Sequence, residues 1–278
     1  MRTLFLGGDI RQKYASEYLV NKNYSSSVYL DFDISKIKKD IERSDIVALP
    51  VPATMDGESL NSSNTLSEKI MLSDLAKTLM NKIIVGGKLP NIFKNVDVKY
   101  CIDYMDIDAF QIKNALLSAE GAIFYAKQKL ERSIYNSNIA ILGSGRIGKI
   151  LAYLLGAQGA RVTVISRKDV DLAWSQLIGY STIKIDSRIG VITPKIDIIF
   201  NTIPYRIMDE NFVINLNQNI LIIDLASFPY GIDDGLVKKY NLSYYRELGI
   251  PGRYAPQTAG EIIGQTIIDY VLTREDLH

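Results

Sequence analysis

Two α/β domains, each a doubly wound parallel sheet, are what this sequence of 278 residues predicts. Three observations carry that prediction. Short apolar runs alternate with helically spaced segments along the whole chain, the pattern of parallel strands joined by crossover helices. One such run, Ile139 to Leu142, breaks into Gly143-x-Gly145-x-x-Gly148 and continues with apolar residues at helical spacing. The length also suffices for two separate hydrophobic cores. We place the domains at residues 1–117, an N-terminal α/β substrate or partner domain, and 118–278, a dinucleotide-binding domain.

The elements follow in order. In the N-terminal half, strands are expected at Thr3–Gly7, Ser27–Leu30, Ile46–Pro50, Ile83–Gly86 and Val98–Ile102. Helices fit between them at Gln12 to Asn21, Ile34 to Ile41 and Glu68 to Met80, while Met55 to Leu66, rich in Ser, Asn and Gly, reads as a flexible loop. A long helix from about Asp106 to Arg132 joins the domains. Strands at Ile139 to Leu142, from Arg161, and at Thr182–Ile185, Ile196–Ile203, Ile220–Leu225 and Ser243–Arg246 build the second sheet, with a helix near Asp233–Tyr240. A final helix, Ala259 to Leu272, is expected to pack back on the N-terminal domain.

The glycine run has a physical reading. Gly143 permits the tight turn, Gly145 lets a pyrophosphate approach the backbone, and Gly148 lets the helix lie close to the strand. The helix N-terminus supplies free N–H groups and the positive end of its dipole. Strand, turn, helix and second strand together predict a Rossmann cofactor domain. Gly143, Ser144, Gly145, Arg146, Ile147 and Gly148 are its phosphate contacts. At the end of the second strand, an acid for a bare ribose is replaced by Ser166-Arg167-Lys168, which suits a 2′-phosphate and favours NADP(H) over NAD(H). The competing reading makes Arg167 and Lys168 the start of a solvated loop, with Asp169 or Asp171 at the ribose.

Composition excludes several classes. Lys plus Arg number 32 against 31 acids, so no overall field recruits nucleic acid or an anionic membrane. No apolar stretch reaches spanning length and no signal-peptide core opens the chain. The single cysteine, Cys101, lies in an apolar run and reads as a buried hydrophobe in a reducing, cytoplasmic compartment. The only histidine is His278, the last residue, so imidazole proton carriers and imidazole or thiolate metal sites are not expected, and no metal is.

Strand ends carry the remaining chemistry, because ligands of such sheets bind there. Gly7-Gly8-Asp9 with Arg11 offers backbone N–H groups and a guanidinium to a carboxylate; a surface ion pair competes. Pro52, Thr54 and Lys88 follow two further strand ends. Asn201, Thr202, Ile203 and Pro204 fit the nicotinamide-ribose side, or simply an ordinary strand exit. Asp224-Leu-Ala226-Ser227 orients a ligand or caps the next segment. The run from Leu248 to Gly260 holds an unusual backbone, with Gln257 and Thr258 at a helix entry. Glu120 is a candidate proton acceptor; its neighbour Gly121 costs about 1 kcal/mol relative to Ala in mid-helix.

Gly7-Gly8-Asp9-x-Arg11-Gln12, Leu49-Pro50-Val51, Glu120-Gly121, the glycine turn, Asn201-Thr-Ile-Pro204, Asp224-Leu-Ala-Ser227, Gly249-x-Pro-Gly252 and Ala255-Pro-x-Thr-Ala-Gly260 together resemble the family of dipicolinate synthase A subunits of spore-forming bacteria. The resemblance runs in order along nearly the whole chain. It implies NADP⁺-dependent oxidation of dihydrodipicolinate to dipicolinate in the mother cell of a sporulating bacterium, together with a flavoprotein-like B subunit. It further implies a flat dicarboxylate held from opposite sides of a cleft by Arg11 and the Thr258 turn, with Glu120 or water taking the proton. Gly8, Pro52, Thr54, Lys88 and Gln257 complete the expected substrate contacts, and Asp9 accompanies Arg11 at the catalytic end. Gln257 stands where a Lys is expected, which shifts the cationic load to Arg11 or Lys88. A shikimate-dehydrogenase-like or methylene-tetrahydrofolate-dehydrogenase-like NADP oxidoreductase, and a non-catalytic NADP(H)-binding scaffold, are the alternatives. A homo-oligomer stays open.

Overall fold

Leu4 and Leu6 face one way from the first strand and Phe5 the other, and all three are fully buried. This alternation, with both faces covered, organises the first of two compact units, Met1–Asn114 together with the chain from Pro251 on; the second is Ala115–Ile250. The computed structural model describes residues 1–62, 69–185, 196–217 and 219–274.

In the first unit, β1 (Arg2–Leu6), β2 (Ser25–Tyr29), β3 (Ile46–Ala48), β4 (Ile83–Gly86) and β5 (Tyr100–Asp103) form a parallel sheet in the order β2-β1-β3-β4-β5. The order reverses between β1 and β3, so their carboxyl ends flank the switch point at which such sheets bind ligands. On one face, α2 (Ile34–Arg43) and α3 (Leu72–Thr78) close a core of Leu4, Leu6, Val47, Ile84, Ile41, Leu75 and Phe93. On the other, α1 (Ile10–Asn21) covers Phe5, Ile46, Ala48, Ile83 and Val85, joined by Tyr104 and by Phe110 at the start of α4 (Asp108–Lys129). The boundary between the two units falls within α4.

The second unit has six parallel strands: β6 (Asn138–Leu142), β7 (Arg161–Ser166), β8 (Ser181–Lys184), β9 (Ile198–Asn201), β10 (Leu221–Asp224) and β11 (Ser243–Arg246), in the order β11-β10-β9-β6-β7-β8. Counted within the unit this is 6-5-4-1-2-3, the order of dinucleotide-binding folds, with its switch point between β6 and β9. Helices α5 (Arg146–Ala157) and α6 (Asp169–Leu177) follow β6 and β7, and α7 (Glu210–Val213) and α8 (Asp234–Lys239) follow β9 and β10. Ala140, Leu142, Ile199, Ile222, Phe212 and Val213 belong to one buried cluster. Last come α9 (Ile250–Tyr254) and α10 (Pro256–Ile267), which ends in one π-helical turn, Ile268–Leu272.

The fold class is as the sequence predicts, with four local corrections. The third helix spans Leu72–Thr78 rather than Glu68 to Met80, and Glu68 itself lies outside the described residues. The expected flexible loop is, over its described part, a hydrogen-bonded knot. Asp56 accepts from the backbone N–H groups of Glu58 and Ser59, from the Thr54 and Ser59 hydroxyls and from Lys69. These bonds hold its carboxyl far below the usual range. Helix α6 occupies a segment to which the sequence assigned no element. The irregular run after Leu248 instead forms α9, because Gly249, at φ +63°, turns the chain directly into it. His278 lies outside the described residues.

Candidate functional site

Each glycine of the β6–α5 turn meets a different constraint. Gly143 has φ +101°, and a Cβ there would collide with the Thr202 hydroxyl and come within 3.0 Å of Ile203. A Cβ on Gly148 would land on the Gly143 carbonyl oxygen, which is how closely α5 passes the strand end. Gly145 differs, because nothing lies within 4 Å of its would-be Cβ. It caps α5 without a side-chain hydrogen bond, so no side chain of the cap competes for the start of the helix. Open backbone and uncapped donors at the positive end of a helix form an anion cradle.

The carboxyl end of β7 carries Ser166, buried, followed by Arg167 and Lys168, both exposed. The Ser166 hydroxyl accepts from the Lys168 backbone N–H at 3.4 Å. Asp169 and Asp171 begin α6 and are engaged elsewhere: Asp169 pairs with Lys184 at 2.7 Å and Asp171 with Lys149 at 3.5 Å. The two cations at this strand end are exposed, and both acids pair with lysines.

At the ends of β9 and β10, Asn201 and Asp224 are both fully buried. Asn201 Nδ2 donates to Asp224 Oδ1 at 2.8 Å, and its Oδ1 accepts from Ile203 N–H at 3.1 Å. Asp224 also accepts from the backbone N–H groups of Ala226 (3.0 Å) and Gly231 (2.7 Å) and from the Tyr244 hydroxyl (2.6 Å). Its four bonds make it the cap of the β10 turn rather than an open ligand contact. Burial and the bond to Asp224 raise the Tyr244 phenol well above its usual pKa. Arg246 donates to the Tyr244 oxygen at 3.2 Å, pairs with Asp234 and stacks 4.1 Å from the Tyr230 ring. Thr202 donates its hydroxyl back to Leu142 O at 2.9 Å, tying β9 to the glycine turn. Ile203 is half-buried and Pro204 exposed just beyond it; Ala226 is buried and Ser227 exposed.

In the first unit, Gly7 and Gly8 have φ +69° and +78°, and a Cβ on Gly8 would press on Gln12 and Pro50. The expected row of free N–H groups is not there. Gly8 N–H donates to Asn61 O at 2.7 Å, and Asp9 caps α1 by accepting from Arg11 N–H at 3.0 Å. Arg11 closes on the same carboxylate, Nε to Oδ1 and Nη2 to Oδ2 both at 2.8 Å, and Nη2 also donates to Val51 O at 2.8 Å. Burial works against the Asp9 charge, but the bonds and charge of Arg11 outweigh it and hold its carboxyl below the usual range. Asp9 therefore orients Arg11, and the Nη1 corner of the guanidinium makes no hydrogen bond among the described residues.

Helix α10 runs beside α1 in the same direction. A Cβ on Gly260 would touch Tyr14 and lie 2.6 Å from Arg11 O, one on Gly264 would meet Tyr18 and Ala15 O, and Tyr18 donates to Gln265 at 2.6 Å. Gly252 packs on the Arg11 guanidinium, with a would-be Cβ 2.9 Å from Nε. Parallel packing sets the first turns of the two helices side by side. Arg11 and the Thr258 turn thus belong to one unit, not to opposite walls as the sequence suggested. Helix α10 has no side-chain cap, Thr258 is exposed, and Gln257 is held by Glu261 at 2.9 Å.

Other expected residues are more committed. Pro52 follows a cis peptide bond and its carbonyl accepts from Asn61, and the Thr54 hydroxyl is used within the Asp56 knot. Lys88 is exposed at φ +52°, its N–H bound to Asp103 at 3.0 Å. Glu120 is half-buried on α4, beside the buried Gly121. Gln12, which its sequence position marks for no role of its own, stands out in the structure. It is 2% exposed, its Nε2 reaches Ala48 O only at 3.4 Å, and its Oε1 has no hydrogen-bond partner among the described residues. An unanswered buried acceptor at a sheet switch point is the signal that residue type and spacing could not reveal. Among the described residues, no helix is long and apolar enough to cross a membrane.

No protein-family model matches the chain. It is 28% identical over 286 residues to the A subunit of dipicolinate synthase from Bacillus subtilis (strain 168), covering 96% of this chain and 94% of that one. The solved structure of the dipicolinate synthase A subunit from Bacillus halodurans superposes with TM-score 0.85 at 27% identity over 98% of each chain. The solved Bacillus subtilis counterpart gives 0.83 at 27% identity, over 98% of this chain and 96% of that one. The D-lactate dehydrogenase of Escherichia coli shares the fold alone, at TM-score 0.66 and 13% identity. The chain thus resembles the dipicolinate synthase A subunit along its whole length and shares its architecture with dehydrogenases.

Proposed function

We propose that this chain is the A subunit of a dipicolinate synthase, an NADP-dependent oxidoreductase that converts dihydrodipicolinate to dipicolinate and works with a flavoprotein-like B subunit in a sporulating mother cell. The observation that carries this reading is the whole-length similarity, 96% of this chain against 94% of the Bacillus subtilis protein. The geometry of each unit supports it separately.

In the second unit, the turn from Gly143 to Gly148 takes the pyrophosphate. Gly145 leaves the room, and the uncapped N-terminus of α5 supplies the donors. Arg167 and Lys168 take a 2′-phosphate, with Asp169 and Asp171 already bound to lysines. Thr202, Ile203, Pro204, Ala226 and Ser227 line the strand ends toward the nicotinamide half. NADP⁺, when bound, accepts the hydride from the dihydropyridine ring.

In the first unit, Arg11 and the adjoining first turn of α10 take a carboxylate, the guanidinium being aimed by Asp9 and braced by Val51 O. Lys88 supplies a further cation, a role that Gln257, bound to Glu261, does not fill. The product ring is aromatic, so the step needs orientation and a modest base more than a tuned acid. Glu120, or water, receives the proton.

The test is turnover. Purified chain is mixed with NADP⁺ and freshly generated dihydrodipicolinate, with and without the flavoprotein-like partner, and NADPH is followed by absorbance. Substrate-dependent NADPH formation by the chain, alone or with that partner, is expected. Cofactor binding with no turnover under either condition would leave a scaffold and contradict the proposal.

A further inference from the structure

The outer face of α6 is apolar where a surface helix is normally polar. Val170, Trp174, Leu177 and Ile178, at helical spacings of four, seven and eight, are each more than half exposed, Leu177 at 74%. Ala173 between them is exposed too, while only Leu172 and Ser175 of the helix turn into the unit. The stripe continues onto α5. Tyr153 is 67% exposed, the Tyr180 ring fills the notch over Gly156, and Lys149 pairs with Asp171 across the two helices. The patch lies beside β8, the edge strand of the sheet.

We propose that this α5–α6 face is the interface between two copies of the chain. Five large side chains this exposed present roughly 600 Å² of apolar surface, the top of the range for the largest patch on a monomer. A two-fold pairing buries that area twice, which clears the roughly 1,000 Å² that a specific interface needs and approaches the standard size. The charge pattern suits the same occupant. From Val170 to Tyr180 the only ionisable acid or base other than tyrosine is Asp171, and it is neutralised by Lys149. A two-fold axis sets identical groups against each other, so a face without free charge meets itself with no like-charge cost. Ala173, small and next to Trp174, leaves space for the indole of the second copy.

Trp174 is the only tryptophan of the sequence, so fluorescence excited selectively at tryptophan, beyond the absorption of the tyrosines, reads this face alone. Sedimentation velocity and acrylamide quenching are measured across a concentration series on the full chain. Dimerisation accompanied by a blue shift and several-fold weaker quenching of Trp174 is expected. Leu177→Glu and Val170→Lys, both at exposed positions, are expected to keep the wild-type melting temperature. Each is expected to raise the dimer dissociation constant about 30-fold or more, the scale of a hot-spot residue. A chain that stays monomeric with Trp174 freely quenched overturns the proposal. So does a dimer in which Trp174 remains freely quenched, or protection that appears only on lipid vesicles. A dimer indifferent to both substitutions overturns it as well.

Discussion

Asp224→Asn tests whether the β10 turn is held by a cap or built around a ligand. The carboxylate accepts four bonds, two on each oxygen: Asn201 Nδ2 and Ala226 N–H on Oδ1, Gly231 N–H and the Tyr244 hydroxyl on Oδ2. A carboxamide offers one acceptor oxygen and one donor NH₂. With the NH₂ toward Oδ1 it would face two donors, so it settles at Oδ2, where the Tyr244 hydroxyl can rotate to accept. Gly231 N–H cannot rotate. It also cannot retreat, since a Cβ on that residue would already strike Asn201 Nδ2. One buried backbone donor is left unpaired and two charge-assisted bonds weaken, a cost of about 3 kcal/mol. For a domain of this size that lowers the melting temperature by about 6–12 °C. Thermal unfolding gives the magnitude, and faster hydrogen exchange at the Gly231 amide gives the location. An Asp224→Asn chain that melts like the parent but loses cofactor or substrate affinity would refute the capping assignment.

Gly148→Ala and Gly145→Ala should separate the two jobs of the turn: the first displaces α5 from β6 and destabilises the unit, whereas the second keeps wild-type melting and loses cofactor affinity, both readable by calorimetry and thermal shift. Arg167→Ala should weaken NADP⁺ binding about tenfold or more while leaving NAD⁺ binding unchanged, the scale of a charge-assisted contact; an equal loss for both cofactors would remove Arg167 from the 2′-phosphate. Arg11→Ala should raise the Michaelis constant for the dicarboxylate about tenfold or more. Because Arg11 keeps the folded-state pKa of Asp9 below its unfolded value of about 3.9, the stability Asp9 contributes is present above that pH and fades as acid is added. The Arg11→Ala chain should therefore lose less stability on acidification below about pH 4 than the parent. Gln12→Leu removes an unanswered buried acceptor and should raise stability by up to about 1 kcal/mol while weakening substrate binding; unchanged substrate kinetics would make Gln12 structural only.

How much of this was legible in the sequence depends on whether a residue answers to its neighbours in the chain or to distant ones. The glycine turn was readable because a positive φ at Gly143 and a carbonyl against Gly148 admit only one residue type. The parallel sheets followed from alternation, since strands such as Ile83–Gly86 are buried on both faces and read as continuous apolar runs, whereas the strand order is set by long-range pairing that no local pattern announces. Helix α6 carries its apolar residues at helical spacing but turns them outward, burying only Leu172 and Ser175, so the stripe does not point to the core it packs on. The Gly7–Arg11 turn was only half readable. The guanidinium is present, but a carboxylate two residues away takes the donors that the motif seemed to offer. The cluster of Asp224, Tyr244, Arg246 and Tyr230 is joined across two strands and a turn, so no local spacing announces Tyr244 or Arg246.

The most direct measurement is a calorimetric titration of the unmodified chain with NADPH and, in parallel, NADH. Saturable binding of NADPH, at least about tenfold tighter than NADH, is the expected result. No heat from NADPH, or equal affinity for the two, would contradict a cofactor unit built on the Gly143–Gly148 turn with Arg167 and Lys168 at its adenosine end.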